Sequence, residues 1–301
     1  VKDDLSGDIQ YIIVRLVRGL ASDREHARHG FYTTLHMMLQ LFPQTQSFVV
    51  KSIQKSYEAT ATAEIDGMVG EALAWGAIIR SGRLKEDSEL QDTIANRLLS
   101  VRDKKSYLGV ITTKFLINMI ETCNGIGTSE KVWGKLEKQL NTEIKEPSDL
   151  WLKLLLARKQ GQSIPKWLSE YKITPDLYSD IGEIMMQTAC EVPKVHPVLN
   201  EVVIHLASQN TKENAVLASF WTSAICPRLK NYGSEQQLGF IIAKLILKEM
   251  KTQEEVEKLM SPRLIKSLMS TVGKKDPESQ AVTQTLTDSI LEIIKENKEK
   301  R

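Results

Sequence analysis

The amino-acid sequence predicts an all-α protein, and three of its features carry that prediction. Apolar residues recur at three- and four-residue steps along nearly all of its 301 residues, which is the spacing of one buried helix face. No run of about four to eight β-branched residues alternates with polar ones between turn signals, as a strand would require. Only 16 Gly and 9 Pro interrupt the chain, which excludes collagen-like and largely disordered proteins.

The lengths of the helical segments indicate the architecture. We expect about fourteen helices of roughly a dozen residues, joined by short loops. Helix pairs recur roughly every 35 to 45 residues, as in irregular armadillo or HEAT arrays. We therefore predict an armadillo/HEAT-like α-solenoid of irregular antiparallel helix pairs, with a globular all-α bundle as the alternative. Residues 1–301 are expected to form a single helical-repeat domain. Because the chain begins at Val1 without an initiator Met, we expect it to be a fragment of a longer chain.

The helix that opens near Ser22 shows the local pattern well. Ser22 followed by Glu25 predicts a capping box, in which the two side chains satisfy backbone donors at a helix start. An apolar stripe then follows at helical spacing, and Pro43 ends it. The stripe consists of Ala27, Phe31, Leu35, Met38 and Phe42.

The segment 65–79 is apolar almost all round, which predicts a buried central helix. Small residues on one side would let a neighbouring helix approach closely; they are Gly67, Gly70, Ala74 and Ala77. Ser81-Gly82 supplies a left-handed stop. Further helices are predicted over residues 105–123, 175–190, 197–208, 213–226 and 235–250, with two more opened by Pro262 and Pro277.

Charge and cysteine content narrow the class of protein. The net charge of +2 gives no global field for a polyanionic partner. Three separated cysteines without a CxxC pair favour reduced, buried thiols in a cytosolic or nuclear protein; they are Cys123, Cys190 and Cys226. The most apolar stretch, residues 238–247, contains Lys244 and is too short to span a bilayer.

No pattern of catalytic or metal-ligating residues is present, so we predict no catalytic residue, metal ligand or cofactor. His26, His29 and His36 share one helix, but arginines surround them and no HExxH pattern or nearby Cys completes a zinc site. Gly125-Ile126-Gly127 follows a helix rather than a strand, unlike a dinucleotide-binding loop. The acidic pairs, among them Glu254-Glu255, are interpreted as solvated charge.

Two basic groups are candidate contacts to nucleic acid or to a protein partner. The first comprises Arg15, Arg18, Arg24 and Arg28, and the second Arg102, Lys104 and Lys105. Phosphates require such local positive charge, although acidic residues interrupt both groups and no aromatic series alternates with them to stack bases. The alternatives are a solvated surface or, for Arg15 and Arg18, bonding to the carbonyls of a neighbouring helix turn.

Residues 10–31 contain a more distinctive sequence motif than the rest of the chain. Residues 10–31 read QYIIVRLVRGLASDREHARHGF, a Tyr-x-x-x-Arg-Leu-x-x-Gly-Leu helix end followed by a bend with Ser-x-Arg-Glu-x-Ala-Arg. Looser agreement follows at residues 74–84, at residues 147–157, and in the pair formed by Pro197-Val198-Leu199 and Phe220-Trp221. This order of motifs resembles the N-terminal portion of the Myb-binding protein 1A family, which is also named DNA polymerase V or phi.

The resemblance implies a nuclear, nucleolar scaffold in ribosomal RNA gene transcription and ribosome biogenesis. The expected partners are transcription factors and ribosome-biogenesis proteins, with DNA of ribosomal gene chromatin as a further partner; neither a membrane nor a small-molecule substrate is expected. The family name also raises a DNA-directed DNA polymerase as an alternative. Two-metal phosphoryl transfer needs carboxylates that hold two ions about 4 Å apart. Asp180 lies in a predicted helix with Glu183 but without a second Asp, and Asp288 lies isolated in another helix, so we predict no catalysis by this segment.

Overall fold

The computed structural model describes residues 5–57, 65–85, 87–102, 104–123, 129–141, 144–158, 164–191, 194–211, 215–230, 232–250 and 253–271, with scattered helical positions between 277 and 295. Within these ranges all regular structure is helical and no strand occurs, which confirms the predicted fold class. The type of helical repeat stays a prediction.

The chain forms two compact units. Unit 1 comprises residues 1–143 and 160–165, and unit 2 comprises residues 144–159 and 166–301. The helices of unit 1 are α1 (Gly7–Gly19), α2 (Glu25–Leu41), α3 (Gln46–Tyr57), α4 (Ile65–Arg80), α5 (Ser88–Arg102), α6 (Ser106–Thr122) and α7 (Glu130–Leu140). Those of unit 2 are α8 (Pro147–Arg158), α9 (Lys166–Ser169), α10 (Tyr178–Gln187), α11 (Val198–Ser208), α12 (Val216–Phe220), α13 (Gly233–Glu249), α14 (Gln253–Leu259) and α15 (Pro262–Met269).

Packing within each unit is local along the chain. In unit 1 the principal contacts join α1 to α2 and α3, α2 to α4, α4 to α6, and α5 to α6 and α7. In unit 2 they join α8 to α11, α11 to α13, and α12 to α14. Such pairing of helices one to three positions apart is typical of proteins built from stacked helical units.

Helix α4 is the centre of unit 1, as the sequence predicts. Trp75 and Ile78 are almost fully buried in it, and Gly82 ends it with a φ of +78°. The predicted close approach occurs at Gly70, but the neighbour is the bend between α1 and α2. A Cβ atom on Gly70 would lie 2.9 Å from the Ala21 backbone nitrogen and 2.7 Å from the Tyr57 hydroxyl.

The predicted capping box at Ser22 is wrong. Helix α2 begins two residues later than expected, with Arg24 in the N-cap position and no side-chain cap. The Ser22 Oγ instead accepts a hydrogen bond from the Arg24 backbone N–H at 3.2 Å, because the bend places the hydroxyl over the residue two positions on. The serine therefore stabilises the bend that precedes the helix.

In unit 2 the helix predicted over 213–226 is only partly regular. Within the described residues, α12 passes into a π-helical turn at Trp221–Ile225 and then a 3-10 turn at Cys226–Arg228. Trp221 is fully buried, and the Phe220 ring lies edge-on to Tyr178 at 5.3 Å between centroids. This irregular segment therefore forms a core element, as the apolar pattern predicts.

Two smaller sequence interpretations also need correction. Cys123 is buried as expected, but Cys190 is exposed and Cys226 is partly exposed. Glu255 is buried, not solvated, because the Asn210 side chain donates a hydrogen bond of 2.6 Å to its Oε1. The burial of Glu255 depends on a neighbour 45 positions away, which helical spacing does not specify.

His196 lies two positions before α11, next to the helix start that the sequence predicts at residue 197. Its side chain is 2% exposed, and its Nδ1 accepts a hydrogen bond from the Val198 N–H at 3.1 Å. Burial lowers the pKa of His196 from 6.5 to about 4. The folded protein therefore holds this imidazole neutral, as an acceptor.

Unit 2 is expected to lose stability as the pH falls from about 6.5 to about 4, because unfolded His196 binds a proton more readily than folded His196. Full protonation would cost roughly 3 kcal/mol. Urea unfolding at pH 7 and pH 4.5 measures this loss. His196→Asn keeps an acceptor without a titrating group and should shrink the loss, although His205, whose pKa burial also lowers, still contributes. An unchanged pH dependence in His196→Asn, relative to a His26→Asn control on the exposed surface of α2, would contradict this.

Candidate partner-binding surface

The residues of the first basic group lie around the bend between α1 and α2. Arg15 and Arg18 are exposed on α1, and Arg24 is exposed in the bend. Among the hydrogen bonds of the described residues, neither Arg15 nor Arg18 donates one to a backbone carbonyl. The alternative of carbonyl bonding for these two arginines therefore finds no support, and their charges face solvent.

Arg28 differs from the other members because its guanidinium is engaged. Its Nη1 donates to the Ser22 carbonyl and to Asp66 Oδ1, both at 3.1 Å. The arginine thus ties the bend to the start of α4. These two hydrogen bonds give Arg28 a structural role that requires no contact with DNA or a protein partner.

The second basic group is divided by burial. Arg102 is 2% exposed at the end of α5, whereas Lys104 and Lys105 are exposed. A guanidinium inside the core does not present its charge to a phosphate at the surface. Lys104 and Lys105 stay predicted contacts.

The residues that carry the sequence signature mostly build the α1–α2 bend. Val17 and Leu20 are fully buried, and Gly19 lies directly against the ring of Phe31 on α2. The Tyr57 hydroxyl donates a 2.7 Å hydrogen bond to the Val17 carbonyl at the end of α1, which also accepts one from the Leu20 N–H at 3.3 Å. The signature is therefore first a structural motif that fixes the bend against α3 and α4.

The opposite side of α1 is exposed and is both apolar and basic. Tyr11 is 66% exposed and Ile12 is 49% exposed. At helical spacing they share one arc of α1 with Arg15 and Arg18, and Asp8 lies at its N-terminal end. We call Tyr11, Ile12, Arg15 and Arg18 the outer face of α1. The sequence does not reveal this face through aromatics that alternate with the arginines, because its one aromatic residue, Tyr11, stands one turn before Arg15.

The carboxylates considered for phosphoryl transfer do not converge in the described residues. Asp180 and Glu183 are both exposed on α10. No group of three or more His, Cys, Asp or Glu side chains suited to a metal ion occurs in the described ranges. His26 and His29 are exposed, while the ring of His36 stacks on that of Tyr32 at 6.4 Å.

In both units a buried glutamate forms an ion pair with an arginine that is partly exposed. In unit 1 the Glu71 carboxylate accepts hydrogen bonds from Arg97 Nε at 2.5 Å and from Trp75 Nε1 at 3.3 Å. A cavity of about 280 Å³ lies beside this pair, bordered also by Tyr57. Burial raises the pKa of Tyr57, and the Glu71 charge adds to the rise. The Glu71 carboxylate is thus engaged by an ion pair with Arg97 and a hydrogen bond from Trp75.

The Glu201–Arg158 pair of unit 2 is similar, with 2.7 Å between Glu201 Oε1 and Arg158 Nε. Burial raises the pKa of Glu201, and Arg158 partly offsets the rise. A wider groove of about 710 Å³ is bordered by Ile173, Pro175 and Tyr178. Its side chains are apolar or uncharged apart from Lys172, and they form no arrangement for acid–base chemistry.

Comparison with known protein families identifies the family to which this chain belongs. The family model of DNA polymerase phi matches residues 11–301. The chain belongs to the DNA polymerase phi family. This result confirms the resemblance detected in residues 10–31 and extends it over nearly the whole sequence. The name of the DNA polymerase phi family does not by itself establish enzymatic activity.

A curated relative agrees with this membership. A Myb-binding protein 1A-like protein of Danio rerio is 24% identical over 229 residues, covering 72% of this chain and 18% of the relative. The aligned part of this DNA polymerase phi family chain thus spans less than a fifth of the relative's length. No solved structure matches the chain. Among the described residues, no helix has the length and apolar character needed to cross a membrane.

Proposed function

We propose that this chain is a non-catalytic scaffold that acts in the nucleolus, in ribosomal RNA gene transcription and ribosome biogenesis, by binding transcription factors. The observation that carries the proposal is the family match over residues 11–301. The printed name of the Danio rerio relative, a Myb-binding protein 1A-like protein, supports binding to a transcription factor. The same relationship supports the proposed nuclear location.

The architecture supports a binding role. Helices that pack against near neighbours along the chain expose a large surface relative to their core, and helical-repeat proteins use such surfaces for extended contacts. We propose that the units are portions of an armadillo/HEAT-like solenoid. The exposed cations Arg15, Arg18 and Arg24, with Lys104 and Lys105, are its proposed contacts to protein partners or to DNA of ribosomal gene chromatin.

The polymerase alternative is disfavoured by the distribution of acidic side chains. Two-metal phosphoryl transfer requires carboxylates fixed around two ions. Asp180 and Glu183 are instead exposed on a single helix, one turn apart.

Depletion of the full-length protein is expected to reduce synthesis of precursor ribosomal RNA, measured by pulse labelling of nascent RNA. A tagged full-length copy should restore synthesis and should concentrate in nucleoli. Restoration by Asp180→Ala/Glu183→Ala is the matched control for the polymerase alternative. Unchanged precursor synthesis after depletion, or exclusion of the tagged protein from nucleoli, would contradict the proposed function.

A further inference from the structure

We propose that the outer face of α1 binds an acidic amphipathic helix of a protein partner. The inference rests on the proposed function, because it specifies how that scaffold would recognise a transcription factor. Its basis is the combination of exposed apolar area and exposed positive charge on one arc of a helix whose other side is packed.

The packed side of α1 fixes the orientation of the helix. Ile13, Val17 and Leu20 are fully buried in the core of unit 1, and the Tyr57 hydroxyl donates a hydrogen bond of 2.7 Å to the Val17 carbonyl. The outer face consequently cannot rotate into the core. Tyr11 and Ile12 stay in water, where their apolar area costs free energy that a partner would recover.

The apolar part of the outer face is more than an isolated exposed side chain. Tyr11 and Ile12 are adjacent, and Ile9, which is 39% exposed, lies one turn before Ile12. Tyrosine is a frequent anchor of protein interfaces because its rigid ring buries a large area at a low entropy cost. These three side chains suit leucine-type residues of a partner helix.

Charge complementarity selects an acidic partner. Arg15 lies four residues after Tyr11, and Arg18 lies one turn further, so two free guanidiniums flank the apolar patch on its C-terminal side. Guanidinium groups form paired hydrogen bonds with carboxylates. A partner helix with leucines on one side and glutamates beside them would fill both parts of the face at once.

A protein partner fits this face better than nucleic acid does. Ile9 and Ile12 offer nothing to phosphates. Asp8, one turn before Tyr11 and Ile12, would repel phosphates and glutamates alike, so it places the glutamates of a partner helix at the other end of the patch, beside Arg15 and Arg18. Asp23 and Glu25 interrupt the positive charge at the other end, beside Arg24. An acidic helix needs only the short arginine pair and the apolar patch.

Fluorescence anisotropy with the purified 301-residue chain tests the proposal. The probe is a labelled peptide of about twenty residues, long enough to be helical on binding, with leucines on one face and glutamates on the other. Arg15→Glu/Arg18→Glu is expected to weaken its binding by about tenfold or more. Tyr11→Ala should weaken it as well. Lys114→Glu/Lys138→Glu, an equal charge change at exposed positions of α6 and α7, should leave it within about twofold of wild type.

A charge-swapped peptide makes the test specific. A peptide with lysines in place of the glutamates should bind Arg15→Glu/Arg18→Glu better than it binds the wild-type chain, which a merely misfolded variant would not do. Absence of binding to the acidic peptide, or equal losses in both charge variants, would overturn the proposal. Displacement of the peptide by duplex DNA at lower concentration than by unlabelled peptide would assign the face to nucleic acid. A dimer in light scattering that the Arg15→Glu/Arg18→Glu change abolishes would assign it to a second copy.

These outcomes are separable from those of the proposed function. Peptide binding is measured on the purified chain and does not depend on ribosomal RNA synthesis. If depletion leaves precursor RNA unchanged while the peptide still binds at α1, the proposed function fails and the binding site stands. If depletion reduces the RNA but the arginine variant binds the peptide normally, only the binding site fails.

Discussion

Trp75→Ala is expected to destabilise unit 1 by about 3–5 kcal/mol, the usual cost of removing a large buried aromatic side chain. The Trp75 side chain is 1% exposed at the centre of α4. Its indole N–H also donates to Glu71 at 3.3 Å, so the change removes one of the partners of a buried carboxylate together with the ring.

Circular dichroism during urea unfolding measures the loss, and hydrogen exchange assigns it to the amides of α4 and its neighbours. Trp133→Ala is the matched control, because Trp133 lies in α7 of the same unit but is only partly buried. Its loss should be clearly smaller. Equal losses in the two variants would show that α4 is not the centre of the core of unit 1.

Gly70→Ala is expected to destabilise unit 1 by about 1–3 kcal/mol through overpacking. The added methyl group would lie 2.9 Å from the Ala21 backbone nitrogen and 3.0 Å from its Cα. Backbone atoms cannot move aside as a flexible side chain can, so the bend between α1 and α2 must shift away from α4. The Tyr57 hydrogen bond to Val17 should weaken with it, because the same hydroxyl lies 2.7 Å from the new Cβ position.

Gly134→Ala is a control with the same substitution and the opposite expected change in stability. Gly134 lies inside α7, and nothing stands within 4 Å of its Cβ position. Alanine should therefore stabilise the protein by up to about 1 kcal/mol through helix propensity alone. A loss of stability in Gly134→Ala comparable to that in Gly70→Ala would mean that the close approach at Gly70 is not the cause.

The sequence predicts much of this fold because helical spacing and stop signals are local properties. The buried character of α4, its end at Gly82 and the start of α11 beside His196 all follow from residues within a few positions of each other. The family resemblance of residues 10–31 is likewise readable without a structure. Local sequence patterns are therefore sufficient to predict the fold class and the family.

Contacts between distant residues could not be predicted in the same way. Arg28 meets Asp66 across 38 positions, and Asn210 meets Glu255 across 45. Nothing in the helical period marks those partners, so Arg28 resembled a surface cation and Glu255 a solvated acid. The structure shows that the Arg28 guanidinium is bonded to Asp66, whereas Arg15 and Arg18 are exposed. This difference defines the outer face of α1.

We propose that this family member works by binding through an exposed helix face and not by polymerase chemistry. The most direct measurement is precursor ribosomal RNA synthesis in depleted cells that are supplied with full-length variants. We predict that Arg15→Glu/Arg18→Glu fails to restore synthesis while Asp180→Ala/Glu183→Ala restores it. Full restoration by the arginine variant, or failure of the carboxylate variant, would contradict this proposal.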